Sequence, residues 1–251
     1  MKFSIITCTY NSAKYLQQNI DSIKSQTCQN FEHIFIDGFS TDETIGLIEK
    51  YRREFPEQVK VFKAKPKGIA NAMNRGVEKA SGEYLIHLHS DDSFYNNNVL
   101  QEVDSFIKIK KRPDWIYGKA KFIDTKNKKS RIIPHRKIYQ KIKFWLLLLT
   151  NYIPHQSVFL KKSIFQEYGM FDEQFKNSMD YDFWLRLAKN NVSGIFIDKI
   201  ICNFSIRDNS QSAIGKSSSE HVISYKKYIS STILRFILKR INLLDKKRKL
   251  L

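Results

Sequence analysis

Strand-like and helix-like segments alternate over the first 92 residues of the chain. The strand-like runs lie at 2–8, 31–36, 59–64 and 83–89, and helical patterns lie at 13–26, at 69–81 and between the capping run 40–43 and residue 55. Such alternation predicts a parallel sheet whose strands are joined by right-handed helical crossovers. The sequence therefore predicts an α/β fold.

Polar side chains follow three of these four strand-like runs. Thr9 and Tyr10 come after the first run, Asp37 after the second, and Asp91 and Asp92 after the fourth. In open sheets of this kind a ligand binds outside the carboxyl ends of the strands. We therefore expect these side chains to meet at one edge of the sheet and to form a nucleotide site.

The second half of the chain is less regular. Strands are expected at 115–124, 157–160 and 193–197, and helices at 163–168, 180–189 and 220–244. A chain of 251 residues can bury a sizeable core, and α/β folds of this length commonly form one domain. One main domain followed by a tail is expected.

Asp91 and Asp92 form a pair of adjacent carboxylates at a strand end. Mg²⁺ or Mn²⁺ is commonly bound by one or two such carboxylates together with the phosphates of a substrate. An Asp pair in this position is also typical of a turn followed by a helix cap. The pair alone leaves both interpretations open.

Positive charge is concentrated in two segments. The net charge is +18; segment 108–143 holds fourteen Lys and Arg against two Asp, and segment 225–251 holds nine against one. Such blocks attract polyanions, which include nucleic acid, anionic lipid and diphosphates. Composition does not choose among these partners.

The remaining composition indicates a cytoplasmic protein that is soluble or peripheral. The three cysteines are scattered and form no CxxC pair, which argues against a disulfide framework and a zinc ribbon. The N-terminal apolar run is too short for a signal peptide, and the longest apolar run, 144–149, is far below the roughly 20 residues that span a bilayer.

The tail has the pattern of a basic amphipathic helix. Its apolar residues are Ile229, Ile233, Phe236, Ile237, Ile241 and Leu244; its basic residues are Lys226, Lys227, Arg235, Lys239 and Arg240, followed by KKRK at 246–249. Such a helix either packs its apolar face on the domain or lies on an anionic membrane surface. The sequence favours the inner face of the cell membrane, which the apolar run 144–149 would also touch.

Four segments of the chain resemble family 2 glycosyltransferases in their order and spacing. They read SIITCTYN, IDGFSTDET, GIANAMNRGVEKASGEYLIHLHSDD and HQSVFLKKSIFQEYGMFDEQFKNSMDYDFWLRL. The sequence is especially similar to bacterial members that build surface polysaccharides and lipid-linked oligosaccharides.

The resemblance covers about residues 2–206 and implies a fold. That fold is GT-A-like and Rossmann-related, with a mostly parallel central sheet flanked by helices. The resemblance also implies a catalytic domain at 1–206, with a nucleotide-binding half at 1–92 and an acceptor half at 93–206. A C-terminal amphipathic helical extension is expected at 207–251.

The resemblance implies contacts to the donor. Thr9, Tyr10 and Asp37 stand where family members hold the nucleotide base, and a carboxylate can accept an imide N–H while a tyrosine ring stacks on the base. Asp91 matches the metal position of the family's Asp-x-Asp motif. His89 occupies the first position of that motif, so a histidine replaces a carboxylate that would contact the ribose or the metal.

Residues of the third segment are candidate contacts to the donor sugar and phosphates. Asn71 stands where close relatives often carry Asp, and its amide is expected to bond the donor sugar or base. Lys67 and Arg75 are candidate phosphate contacts, although a solvated helix face explains both equally well.

The resemblance also places the catalytic base. Inverting glycosyl transfer needs a group that removes the acceptor proton as the hydroxyl attacks, and the family position of this base corresponds to Asp180 in SMDYDFW. Met179 stands where many relatives have Glu, and Asp182 is the alternative base. His155, Gln156 and Asp182 are expected on the acceptor side.

The sequence therefore predicts an inverting glycosyltransferase, either a hexosyl- or an N-acetylhexosaminyl-transferase, that uses Mn²⁺ or Mg²⁺. The donor is expected to be a UDP-sugar and the acceptor a glycan or a polyprenyl-diphosphate-linked saccharide. A basic nucleic-acid-binding protein is an alternative, but no nucleic-acid-binding motif is present. A dehydrogenase or a sugar nucleotidyltransferase would need a Gly-rich first turn, which here reads CTYNSA.

Overall fold

The structure is a computed structural model that describes residues 1–135, 142–192, 194–206 and 217–229. The strands are β1 (Phe3–Thr9), β2 (Phe31–Asp37), β3 (Val59–Lys63), β4 (Tyr84–His87), β5 (Ser93–Phe94), β6 (Trp115–Asp124), β7 (Lys129–Ile133), β8 (Val158–Lys161) and β9 (Gly194–Ile206). The helices are α1 (Ala13–Lys24), α2 (Thr44–Glu54), α3 (Ile69–Lys79), α4 (Val99–Ile109), α5 (Phe144–Leu147), α6 (Lys162–Tyr168), α7 (Met179–Lys189) and α8 (Ser217–Tyr228). A 3-10 turn at His155–Ser157 precedes β8.

These strands form one mixed sheet flanked by helices. Its order is β3-β2-β1-β4-β8-β6-β9-β5, with β7 beside β6. β1 lies parallel to β2 and β4, and β2 lies parallel to β3, which confirms the α/β alternation predicted from the sequence. β8 runs antiparallel between β4 and β6, whereas β9 is parallel to β6. The carboxyl ends of β1, β2 and β4 therefore meet at one edge.

Most predicted elements agree with the structure, but the second half holds four that the sequence reading missed: β5, α4, β7 and α5. Helix α4 had a readable signal, because Val99, Val103 and Ile107 recur every four residues and are all buried. Strand β5 has only two residues and gives no periodic signal. The strand predicted at 193–197 continues to Ile206, since it pairs with β6 along most of its length.

The predicted C-terminal helix is described only in part. Helix α8 begins at Ser217, three residues before the expected start, and the described chain ends at Ile229. The tail residues Ile233, Phe236, Ile237, Ile241, Leu244, Arg235, Lys239, Arg240 and 246–249 lie outside the described residues. Within the part of the chain that the structure covers, no helix has the length and apolar character needed to cross a membrane.

Stacked tryptophans hold α7 against the sheet. The rings of Trp115 on β6 and Trp184 on α7 are both fully buried and lie 5.3 Å apart at an interplanar angle of 8°. The residue beside them is Gly194, where a Cβ atom would lie 2.5 Å from the Trp115 ring. The close packing of β9, β6 and α7 thus fixes where the N-terminus of α7 lies relative to the strand ends.

Candidate active site

A cavity of about 960 Å³ opens where β1 and β4 end and the first turn of α7 begins. The elements that contribute to its wall include the ends of these two strands, the 3-10 turn, α7 and α8. Its polar lining includes Tyr10, His89, Asp91, His155, Gln156, Lys176, Asp180, His221 and Tyr225. Residues far apart in sequence therefore share one space.

Tyr10 is the predicted base contact that faces this cavity. Its side chain is 63% exposed, and its ring edge packs against Gly38, where a Cβ atom would lie 3.1 Å away. Because Gly38 leaves this room, the ring lies over the turn after β2 with a face free for stacking. A planar base can stack there at little cost.

Asp37 and Thr9 organise the same turn from below. Asp37 is fully buried; its Oδ1 accepts hydrogen bonds from the hydroxyls of Thr9 at 2.9 Å and Ser40 at 2.6 Å, and its Oδ2 accepts the Ser40 N–H at 2.9 Å. These bonds hold the ends of β1 and β2 together. A nucleotide contact by either residue remains a prediction.

Asn71 and Arg75 lie on α3 beside the cavity wall, not in it. The Asn71 amide donates to Glu173 Oε2 at 3.0 Å, and its Oδ1 accepts from Arg75 Nε at 3.2 Å. Glu173 Oε1 also accepts from Asn74, at 3.1 Å. Asn71 thus uses both the donor and the acceptor of its amide within the protein. An Asp at this position could not donate to Glu173, and its charge would face the Glu173 carboxylate.

Asp91 and Asp92 have different surroundings. Asp91 lines the cavity, whereas Asp92 is buried and its Oδ1 accepts the backbone N–H of Ser205 on β9 at 3.2 Å. Asn19 of α1 donates to the carbonyls of both His89 and Asp92 at 3.0 Å, which fixes the turn between them. Of the two predicted metal ligands, the structure places only Asp91 on the cavity.

The residues on the cavity fit a divalent ion that arrives with a diphosphate. Among the described residues no group of three or more His, Cys, Asp or Glu side chains forms a complete metal cage. Such a cage is not needed, because Mg²⁺ and Mn²⁺ sites of this class use one or two protein ligands plus substrate phosphates and water. Asp91 would supply the hard carboxylate oxygen, and His89 lies on the same wall.

His155 and Gln156 lie on the cavity wall, where the acceptor-side prediction placed them. The His155 ring stacks with His87 at 5.5 Å and with His89 at 5.6 Å between centroids. Desolvation, aided by these two neighbours, holds the pKa of His155 well below its usual range, so the ring is neutral at pH 7. Neither ring nitrogen has a hydrogen-bond partner in the described residues, so the ring N–H is available to a ligand hydroxyl.

Asp180 and Asp182 point in different directions from the first turn of α7. Two residues correspond to about 200° around a helix, so the two carboxylates lie on nearly opposite faces. Asp180 lines the cavity, and its Oδ1 accepts the Tyr181 N–H at 2.8 Å. Desolvation raises the pKa of Asp180 to about 6, and the charge of Glu220 adds to this shift.

Asp182 is a structural residue and not an acceptor-side residue. It is fully buried, its Oδ2 accepts from Arg186 at 3.0 Å, and its Oδ1 lies 3.2 Å from Lys227 Nζ and 3.3 Å from the Tyr228 hydroxyl. The sequence prediction placed Asp182 on the acceptor side and named it as the alternative base, but the helical period turns its side chain into the α7–α8 interface. Asp180 is the cavity-facing carboxylate of the two.

Helix α8 contributes residues that the sequence reading did not assign to the site. His221 and Tyr225 line the cavity, and Tyr225 lies 3.3 Å from the Tyr181 hydroxyl. Their spacing of four places both on one helix face. This spacing was the available signal, although nothing in the local sequence indicated which surface the face would cover.

Known proteins match the sequence over most of its length. The family model described as Glycosyl transferase family 2 matches residues 4–169. A "PGL/p-HBAD biosynthesis glycosyltransferase" of Mycobacterium bovis is 32% identical over 188 residues, which is 75% of this chain and 70% of the relative. An "Uncharacterized glycosyltransferase" of Rickettsia felis is 30% identical over 201 residues, or 79% of this chain and 33% of that protein.

Solved structures share the fold. S. aureus TarS 1-349, crystallised in complex with UDP-GlcNAc, superposes with a TM-score of 0.73 at 21% identity, covering 96% of this chain and 71% of that one. The mannosyltransferase PcManGT from Pyrobaculum calidifontis, in complex with GDP-Man and Mn²⁺, superposes with a TM-score of 0.68 at 17% identity, covering 90% and 63%. The GT-A fold implied by the sequence is thereby confirmed.

The different surroundings of the α7 carboxylates predict opposite effects on stability. Asp182→Asn removes the charge opposite Arg186 and Lys227 and should lower the free energy of unfolding by roughly 3 kcal/mol, as when a buried ion pair loses one partner. Asp180→Asn should raise it at pH 7.5, because the raised pKa means that the ionised carboxylate destabilises the folded state.

Urea unfolding at pH 7.5 and pH 3.5 measures this difference. A carboxylate with a raised pKa contributes stability below its unfolded pKa and loses it as pH rises to about 6. The gain from Asp180→Asn should therefore vanish at pH 3.5. Equal effects of the two substitutions at pH 7.5 would contradict the assignment.

Proposed function

The chain belongs to glycosyl transferase family 2, and we propose that it transfers a sugar from a UDP-sugar to a saccharide hydroxyl with inversion at the anomeric carbon. The main support for this proposal is that Asp180, a carboxylate with a raised pKa, lies on the wall of the cavity. A base whose pKa lies nearer the working pH combines a usable ionised fraction with greater proton affinity. Asp180 removes the proton of the attacking hydroxyl.

A division of labour between two carboxylates supports this role. In the described part of the cavity wall the acidic side chains are Asp91 and Asp180. Asp91 would hold the divalent ion, Mn²⁺ or Mg²⁺, and such an ion would supply the Lewis-acid chemistry that offsets charge on the leaving diphosphate. Asp180 is then the carboxylate that remains to act on the acceptor, and a single displacement with one base inverts the anomeric centre.

The nucleotide occupies the end of the cavity formed by the strand termini. Tyr10 stacks on the base, Asp37 and Thr9 shape the turn beneath it, and His89 contacts the ribose or the metal-bound phosphate. The UDP-GlcNAc bound to TarS and the GDP-Man bound to PcManGT support a nucleotide-sugar donor of this kind. The transferred unit is a hexose or an N-acetylhexosamine.

The acceptor enters past the 3-10 turn and α5. The neutral His155 ring and Gln156 bond its hydroxyls; Leu149 on the cavity wall is 42% exposed, and Trp145, four residues before it on α5, is 51% exposed. Such exposed apolar side chains suit an acceptor carried on a polyprenyl diphosphate in cell-surface polysaccharide synthesis. The protein then works at the inner face of the cell membrane, held by the basic tail and by these side chains.

Asp180→Asn tests the proposed base. Transfer should fall at least ~100-fold, the low end of general base catalysis, while the affinity for UDP-sugar is retained. In the wild type, kcat/KM should increase with pH on the acid side of its profile, with a midpoint near the Asp180 pKa of about 6, because only the ionised carboxylate accepts a proton. This rising part of the profile is its acid limb. Transfer by Asp180→Asn at the wild-type rate would rule out the assignment.

Asp91→Asn tests the metal site. Removal of the cavity-facing carboxylate should lower transfer roughly 100-fold or more and abolish its response to added Mn²⁺, because the leaving diphosphate loses its counter-charge. Asp92→Asn is the matched control; its carboxylate bonds β9, so the variant should keep a Mn²⁺-dependent reaction. Full wild-type activity in EDTA would refute metal dependence.

Vesicle sedimentation tests the membrane association. The full chain should pellet with anionic but not with neutral vesicles, and four Gln substitutions at 246–249 should weaken binding roughly 100-fold or more, since each basic residue contributes about 1 kcal/mol. A second variant, with Lys108, Lys110 and Lys111 replaced by Gln, is the control for a general effect of lost positive charge. Equal losses in both variants would show that the tail is not the anchor.

A further inference from the structure

We propose that Glu220 on α8 is a positioning residue for Asp180, so that the C-terminal helix is part of the active site. The inference rests on the proposed function, in which Asp180 is the base. Glu220 does not line the cavity; it holds the segment 176–178, which leads directly into α7. The position of this segment determines where the first turn of α7 presents Asp180.

Three consecutive backbone amides converge on the Glu220 carboxylate. Oε1 accepts the N–H of Lys176 at 3.0 Å, and Oε2 accepts those of Asn177 at 3.0 Å and Ser178 at 2.9 Å. Hydrogen bonds to a charged acceptor are roughly twice as strong as neutral ones. The carboxylate also lies at the N-terminus of α7, where the helix dipole favours negative charge. Glu220 therefore acts as a cap supplied from another helix.

Other contacts dock α8 on α7 independently of Glu220. The His221 and Tyr181 rings lie 4.3 Å apart, and Tyr225 meets Tyr181 through its hydroxyl. At the far end of α8, Lys227 pairs with Asp172 at 2.5 Å and with Asp182 at 3.2 Å. Lys227, assigned from the sequence to a membrane-facing surface, thus contacts the domain. A change at Glu220 leaves these anchors intact.

The charge of Glu220 also reaches the base. Desolvation is the main cause of the raised Asp180 pKa, and the Glu220 carboxylate raises it further. The other titratable groups on the described part of this cavity wall are Cys8, Tyr10, His89, Asp91, Arg131, Tyr152, His155, Lys176, His221 and Tyr225. None of these changes in Glu220→Gln, so this substitution isolates the contribution of one charge and its hydrogen bonds.

The test compares Glu220→Gln and Glu220→Asp with Lys227→Gln in the full chain. Glu220→Gln should lower kcat about tenfold, leave the KM for the UDP-sugar unchanged, and move the acid limb of kcat/KM to lower pH. Glu220→Asp, which keeps the charge, should restore part of kcat and leave the limb nearer its wild-type position. Lys227→Gln loosens α8 elsewhere and should lower stability without moving the limb.

Hydrogen exchange separates failure of this inference from failure of the proposed function. In Glu220→Gln the amides of 176–178 should exchange faster than in the wild type or in Lys227→Gln. If exchange, kcat and the acid limb are unchanged in Glu220→Gln, the positioning role is overturned. The same follows if Lys227→Gln reproduces all three effects. A wild-type protein that transfers no sugar would overturn the proposed function, while exchange at 176–178 would still report on the contact.

Discussion

The arrangement of the site depends on the helical period at the start of α7. Asp180 and Asp182 are separated by two residues, so one faces the cavity and the other faces α8. Asp182 neutralises Arg186 and Lys227, which removes both cations from the neighbourhood of the cavity-facing carboxylate. Desolvation raises the pKa of Asp180 and the charge of Glu220 adds to the shift, whereas a salt bridge to either cation would have lowered it.

The cavity wall formed by the strand ends depends on the parallel pairing of β1 with β2 and β4. Because β1 pairs with both β2 and β4 in the same direction, the residues that follow all three strands must meet at one edge. The buried bonds of Asp37 to Thr9 and Ser40 fix the spacing between two of these ends, and Asn19 fixes the turn at the third. The three strand ends are thus held by polar side chains inside the protein, with Tyr10 and Asp91 on the wall of the cavity.

The sequence predicted this half well because its information is local. Strand periodicity, helix caps and strand-end polar residues all act within about ten residues, and they located the first three helices and four strands correctly. The choice of Asp180 over Asp182 came from family resemblance, and the helical period now gives it a physical reason. Asp92 could not be separated from Asp91 by sequence, because its bond to Ser205 spans 113 residues.

The second half of the chain was less predictable because its contacts are long-range. Glu220 meets Lys176 across 44 residues, and no pattern in the amphipathic tail indicates that its first turns cover the cavity. The tail pattern is compatible with both packing and membrane binding, and the described part of α8 packs on α7 through Tyr225 and Lys227. Packing of α8 and membrane binding by the residues after it are compatible, since they use different parts of the tail. A membrane surface that binds residues beyond 229 would then lie within a short stretch of chain from the Glu220 contact, so under the proposed function α8 would link the proposed base, Asp180, to the proposed anchor.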